Sequence, residues 1–99
     1  NFCLSPGRTE KRPVISVYAP SSKVTMDVLT TEPGVQLYTA FKLDETPVGL
    51  NGFPYGPFAG FCLETQVWPD AINQDGFPNA ILRPGETLRQ ETEYVFRKG

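Results

Sequence analysis

Gly60-Phe61-Cys62-Leu63-Glu64-Thr65-Gln66-Val67-Trp68-Pro69-Asp70-Ala71-Ile72-Asn73 is the stretch whose reading decides the fold. Phe61, Leu63, Thr65 and Val67 alternate with Cys62, Glu64, Gln66 and Trp68, the period-two pattern of a strand with two unlike faces. The first face is apolar and suits a core. The second gathers a thiol, a carboxylate, an amide and an indole, a mixture that fits a pocket for a polar ligand. Pro69 cannot donate to a ladder and ends the strand. Composition alone leaves a pocket and a solvated face both open.

Working upstream, Val35, Leu37, Thr39 and Phe41 face one way on a further strand, with Gln36, Tyr38 and Ala40 on its less apolar side. Glu32-Pro33-Gly34 before it reads as a turn, Pro33 presetting its φ and Gly34 supplying a positive one. Val24, Met26 and Val28 alternate with Thr25, Asp27 and Leu29 in a strand reaching Thr31. Val14 to Ala19 is β-branched and aromatic, a strand closed by Pro20 and joined through Ser21-Ser22 as in a tight hairpin. Ser5 to Pro13 is a polar loop, and Asn1 to Leu4 the tail of a strand or turn. Lys42 to Pro57 holds three prolines and is irregular, a length of loop that in a compact β domain is more often functional than idle.

Downstream, Asp70 to Pro84 is irregular and Arg83-Pro84-Gly85-Glu86 is a turn. Thr87 to Arg97 reads as the last strand, with Leu88, Tyr94 and Phe96 on one face and Arg89, Glu91, Glu93 and Arg97 on a solvated one. No segment carries helical spacing of apolar residues over three turns. Five strands between Pro/Gly turns give an all-β fold, an antiparallel β-sandwich or part of one.

Ninety-nine residues make one domain at most, spanning 1–99, since domains cluster near about 100–150 residues. A net charge of −2 with scattered basic residues offers nothing to a phosphate backbone, so no nucleic acid partner is expected. No apolar run is long enough to span a bilayer, so no membrane partner is expected either. Cys3 and Cys62 are too few for a disulfide scaffold; set in apolar Phe-Cys-Leu contexts, they read as buried free thiols of a cytoplasmic protein. There is no His and no Cys-x-x-Cys pair, so no metal site and no Ser-His or Cys-His nucleophile is visible. The chain lacks an initiator Met, which points to a processed or truncated product.

Acid–base chemistry needs groups with complementary protonation states at the reacting bond. Glu64 is the one good candidate, since its strand face is mixed and burial beside Trp68 would raise its pKa toward that of a useful base. The plain alternative is an ordinary exposed strand residue. Asp27 reads as the wet face of its strand, Asp44-Glu45 as loop, Asp75-Gly76 as a turn, Asp70 as a turn cap or a residue that orients a neighbour, and Glu91 and Glu93 as surface. The aromatics Tyr38, Phe53, Tyr55, Phe58, Trp68 and Phe77 cluster around the long loops and fit either stacking on sugar rings or loop packing.

Gly60-Phe61-Cys62-Leu63-Glu64-Thr65-Gln66, with Pro69-Asp70-Ala71 and Asn73, resembles the C-terminal signature of the aldose 1-epimerase (galactose mutarotase) family. Leu29-Thr30-Thr31-Glu32-Pro33-Gly34-Val35-Gln36-Leu37-Tyr38-Thr39 upstream is similar to a second family block. Phe77-Pro78, Ile81-Leu82-Arg83-Pro84-Gly85-Glu86 and Asn1-Phe2-Cys3-Leu4 extend the resemblance over nearly the whole chain. It implies interconversion of the α and β anomers of free hexoses such as galactose and glucose, without a cofactor. A glutamate in the Leu-Glu-Thr-Gln block takes the C1 hydroxyl proton while a histidine protonates the ring oxygen; Glu64 stands at the position of that base. Gln36 matches a family glutamine that hydrogen-bonds the sugar.

Departures from the pattern carry expectations of their own. Both family site histidines lie upstream of the matching blocks, and a sugar-binding aspartate stands just ahead of the Asn-Phe-Cys-Leu segment. The chain is therefore expected to be the C-terminal third of one large sandwich, with the N-terminal part of the same protein as partner and the isolated chain inactive. Tyr38-Thr39-Ala40-Phe41-Lys42 replaces the Tyr-Thr-Gly-Asn-Phe of many members, which bears on substrate preference. The alternative is a non-catalytic, mutarotase-like carbohydrate-binding module.

Overall fold

Two runs rich in β-branched residues fold onto each other first along the chain. In the computed structural model, which describes all 99 residues, β1 (Phe2–Cys3) is followed by β2 (Arg12–Ala19) and β3 (Val24–Thr30). The Lys23 amide donates to the Ala19 carbonyl at 2.8 Å and closes the β2–β3 hairpin. β4 (Gly34–Tyr38), β5 (Cys62–Gln66) and β6 (Thr92–Lys98) complete the strands. There is no α-helix; Leu50–Gly52 and Ala71–Asn73 are single 3-10 turns.

The strands form two antiparallel three-stranded sheets, β1-β4-β5 and β2-β3-β6. The expected all-β, sandwich-like architecture is the one observed. The chain passes from the second sheet to the first through Thr31-Glu32-Pro33, and this corner is the best-held part of the molecule. Glu32 is 1% exposed and its carboxylate accepts two bonds from the Arg8 guanidinium, at 2.8 and 3.0 Å. Arg12 donates to the carbonyls of Thr30 and Glu32 at 2.8 and 2.9 Å and to the Ser5 hydroxyl at 2.9 Å. The Pro33 carbonyl accepts the amides of Leu4 and Ser5, which ties β1 to the corner. A buried backbone corner is tolerable only because its polar groups are paired in this way.

The sheets meet around Val28, Thr30 and Val35, each no more than 1% exposed. Beside them Thr65 and Thr92 share a hydroxyl contact of 2.6 Å, and the Tyr94 hydroxyl donates to the Leu63 carbonyl at 2.9 Å. Away from this end the sheets diverge around a cleft of about 590 Å³ lined by Phe2, Ile15, Val17, Leu37, Phe61 and Leu63 among others. The accessible surface is 7239 Å², against about 5,600 Å² for a compact monomer of this mass. The surplus of about 1,600 Å² is about twice what one partner gives to a standard protein–protein interface. Much of it is apolar, since Leu50, Phe53, Phe58, Phe61 and Phe96 are each at least half exposed.

Several local expectations need correction. The last strand begins at Thr92, not Thr87: Leu88 is exposed, and Gln90 and Glu91 instead bond to the Thr65 carbonyl and to Thr31. β4 ends at Tyr38 because Ala40 adopts a left-handed φ of 57°, and its carbonyl takes the amides of Leu43 and Phe58 that fasten the long loop. Gly34 does not have a positive φ; the glycines that do include Gly76 and Gly85 at the other expected turns. Cys3 and Cys62 are free but exposed, not buried, because the sheet face that carries them has nothing packed on it.

On the outer face of the second sheet Asp27 pairs with Arg97, as expected for a solvated face. Its pKa is held below the ordinary value of 3.8, first by a hydrogen bond from Ser16 and then by the Arg97 charge. A depressed carboxyl pKa contributes stability that is present above the unfolded value and lost as pH falls through the folded one. Acid unfolding is therefore expected to be less steep below about pH 4 in Asp27→Asn than in wild type, read by circular dichroism; identical acid limbs would remove Asp27 from the account.

Candidate functional site

β4 and β5 pair in the register Gly34↔Gln66, Val35↔Thr65, Gln36↔Glu64, Leu37↔Leu63 and Tyr38↔Cys62. Val35, Leu37 and Leu63 line the apolar cleft, so strand alternation sends Gln36 and Glu64 to the reverse face. They stand directly opposite each other, where Cβ atoms sit about 4.5–5.5 Å apart. The two residues singled out from the sequence, 28 positions apart, thus form one cross-strand pair. Gln36 is half-buried and Glu64 exposed.

The same face carries Cys3, which pairs with Gly34 on the other side of β4, and Cys62 and Gln66 on β5. Gln66 Nε2 donates to Asn1 Oδ1 at 3.2 Å, so a linked pair of amides stands at the end of the face that carries Gln36 and Glu64. Glu64 takes part in none of the ion pairs. An unpaired carboxylate beside neutral donors and acceptors can accept a proton and can bond a hydroxyl-rich ligand. No cluster of three or more His, Cys, Asp or Glu side chains is placed to hold a metal ion.

Trp68 keeps the side of the strand that the alternation gave it, lying against Gly34, but the expected burial of Glu64 beside it is not found. Its Nε1 donates to the Pro33 carbonyl at 2.8 Å and its ring meets Phe77 edge-on at 5.1 Å. Asp70 stands at the start of the 3-10 turn but its side chain makes no capping bond. It orients its neighbours instead, accepting from the Asn73 and Gln74 side-chain amides at 2.6 and 2.7 Å, and these bonds, Gln74's first, lower its pKa. Tyr38 tilts against Phe41 at the far end of the face. The Asn1–Gln66 link went unnoticed in the sequence. Only the period-two step from Glu64 to Gln66 could have suggested half of it.

The Aldose 1-epimerase family model matches residues 1–95. The chain is 49% identical over 96 residues to the galactose mutarotase of Homo sapiens, a match covering 97% of this chain and 28% of that protein. It is 48% identical to the galactose mutarotase of Bos taurus, with the same coverage. It is 33% identical over 97 residues to the aldose 1-epimerase of Escherichia coli (strain K12), across 96% of this chain and 28% of that protein. The chain thus spans little more than a quarter of the length of these relatives. No helix is long and apolar enough to cross a membrane. A match over nearly every residue, carried by the blocks that also build the β4–β5 face, makes this chain a member of the aldose 1-epimerase family.

Proposed function

We propose that this chain carries the base and one sugar contact of an enzyme that interconverts the anomers of free hexoses, galactose and glucose being the substrates of choice. The observation behind this reading is the Gln36↔Glu64 register on one open sheet face. In the proposed step the Glu64 carboxylate takes the proton from the C1 hydroxyl and the C1 oxygen forms the carbonyl. The bond from C1 to the ring oxygen breaks, its electron pair stays on that oxygen, and an acid protonates it. Rotation about C1–C2 and reversal of the same transfers close the ring on its other face. Gln36 bonds a sugar hydroxyl and holds the ring over the carboxylate. No cofactor enters the step.

The chain has no histidine, and the acid belongs in this reading to the N-terminal part of the same protein, in the cytoplasm. The surplus surface and the apolar cleft support such a partner, because uncovered apolar area of this size is what a further layer of the sandwich would bury. Residues 1–99 are then the C-terminal portion of one domain. A base without its acid forgoes about 10²–10⁴-fold in rate. Polarimetry of freshly dissolved α-galactose with the 99-residue chain alone is expected to follow the uncatalysed rate, and to turn enzymatic in a polypeptide carrying the chain at the length of its relatives. An enzymatic rate from the chain alone would overturn the assignment of the acid.

A further inference from the structure

Gly34 and Trp68 meet at the end of the sheet that opens β4 and closes β5. Gly34 is buried, and its φ lies outside the left-handed region, so backbone freedom does not explain glycine here. Space does: a Cβ at this position would lie 2.8 Å from Trp68 Cδ1, 3.2 Å from Asn1 Nδ2 and 3.2 Å from the Gln66 carbonyl oxygen. The first contact is closer than real Cβ atoms approach, and the ring cannot retreat freely. Its N–H is bound to the Pro33 carbonyl, and Phe77 stands edge-on behind it.

The consequence reaches the site through the register. Gly34 is two residues before Gln36, and its partner Gln66 is two residues after Glu64. Trp68 follows Gln66 by two more and bonds the residue preceding Gly34. One indole therefore links the chain leaving Glu64's strand to the chain entering Gln36's strand, one rung of like-facing residues from the pair. We propose that the Trp68–Gly34 contact is a positioning device: it fixes the spacing and register of Gln36 and Glu64, and neither residue touches the sugar. This rests on the reading of Glu64 as base and deepens it.

The test uses kcat and KM for galactose in the polypeptide of family length, with amide hydrogen exchange across Val35–Tyr38 and Cys62–Gln66 beside them. Displacing a reacting group slightly is enough for about a tenfold loss in kcat, expected for both Gly34→Ala and Trp68→Leu, with faster exchange at Gln36 and Glu64. Once the ring is gone the closest obstacle to the added methyl goes with it, leaving the milder 3.2 Å approaches to Asn1 Nδ2 and the Gln66 carbonyl, so Gly34→Ala in the Trp68→Leu background costs less than about twofold more. Val28→Ala, in the core away from the site, lowers the melting temperature without moving kcat. Trp68→Phe keeps a ring against Phe77 and removes only the N–H; if Gly34→Ala does not fold, this variant carries the test with a several-fold loss in kcat. Wild-type kcat in these variants, or losses that simply multiply, overturn the proposal. Full turnover in Glu64→Gln would instead sink the base assignment, while the exchange data would still judge the contact.

Discussion

Glu64→Gln is expected to lower kcat for galactose anomerisation by about 10²–10⁴-fold, in the polypeptide of family length, while galactose binding stays close to wild type. The amide has nearly the shape of the carboxylate and can still bond a hydroxyl, but it cannot take a proton at neutral pH. Because Glu64 is exposed and belongs to no ion pair, the exchange strands no partner. Its effect on stability stays within about 0.5 kcal/mol, as for surface positions in general. The rate loss corresponds to about 3–5 kcal/mol of barrier, too large to come from a stability change of that size. The variant also separates an epimerase from a pure sugar binder: polarimetry reads turnover, and equilibrium dialysis with labelled galactose reads binding. Undiminished turnover in Glu64→Gln removes the carboxylate from the mechanism.

Arg8→Ala is expected to be the most destabilising single change at the corner between the sheets. It leaves Glu32, 1% exposed, as a buried carboxylate without its cation. Breaking buried pairs by deleting one member costs about 3–5 kcal/mol. Arg8 itself is 34% exposed, so water reaches the gap and about 2–4 kcal/mol is the fitting range. Glu32→Gln removes the charge along with the need for it and should cost less. Adding Arg8→Ala to Glu32→Gln should then cost under about 1 kcal/mol, and that non-additivity is the signature of the pair. Urea midpoints for the four proteins give the cycle. An Arg8→Ala midpoint equal to wild type would show that the corner does not depend on this contact.

The strands were legible because period two survives in a chain whose sheets each have one apolar face. The Gln36 strand and the Glu64 strand were both readable with their faces correctly sorted. Their pairing was not readable, since register depends on where the loop Thr39–Phe61 lets the strands meet, and nothing local encodes that. Thr87 to Glu91 alternates like a strand and is not one: Gln90 and Glu91 bond to Thr65 and Thr31 instead of continuing the ladder. Gly34 was read as a turn glycine for its φ, whereas the structure needs it for clearance, a requirement set by Trp68 from 34 positions away. The thiols were misread for a related reason. An apolar sequence context predicts burial only when something covers the face, and here the face is open.

The connections that join these strands also set an order in time. β2 and β3 are separated by four residues, and a hairpin of that kind forms in about 1–10 μs. β4 and β5 must first close the long loop between Tyr38 and Cys62, and β6 must find β3 across the whole stretch between Thr30 and Thr92. Loop-closure entropy grows with the logarithm of length, which puts the β3–β6 closure about 2 kcal/mol above that of the hairpin. Gln36 and Glu64 therefore come face to face late in folding, after the hairpin exists and with the corner at Glu32 as the hinge they close upon. A nascent chain of this kind shows β structure well before the Gln36–Glu64 pair is assembled.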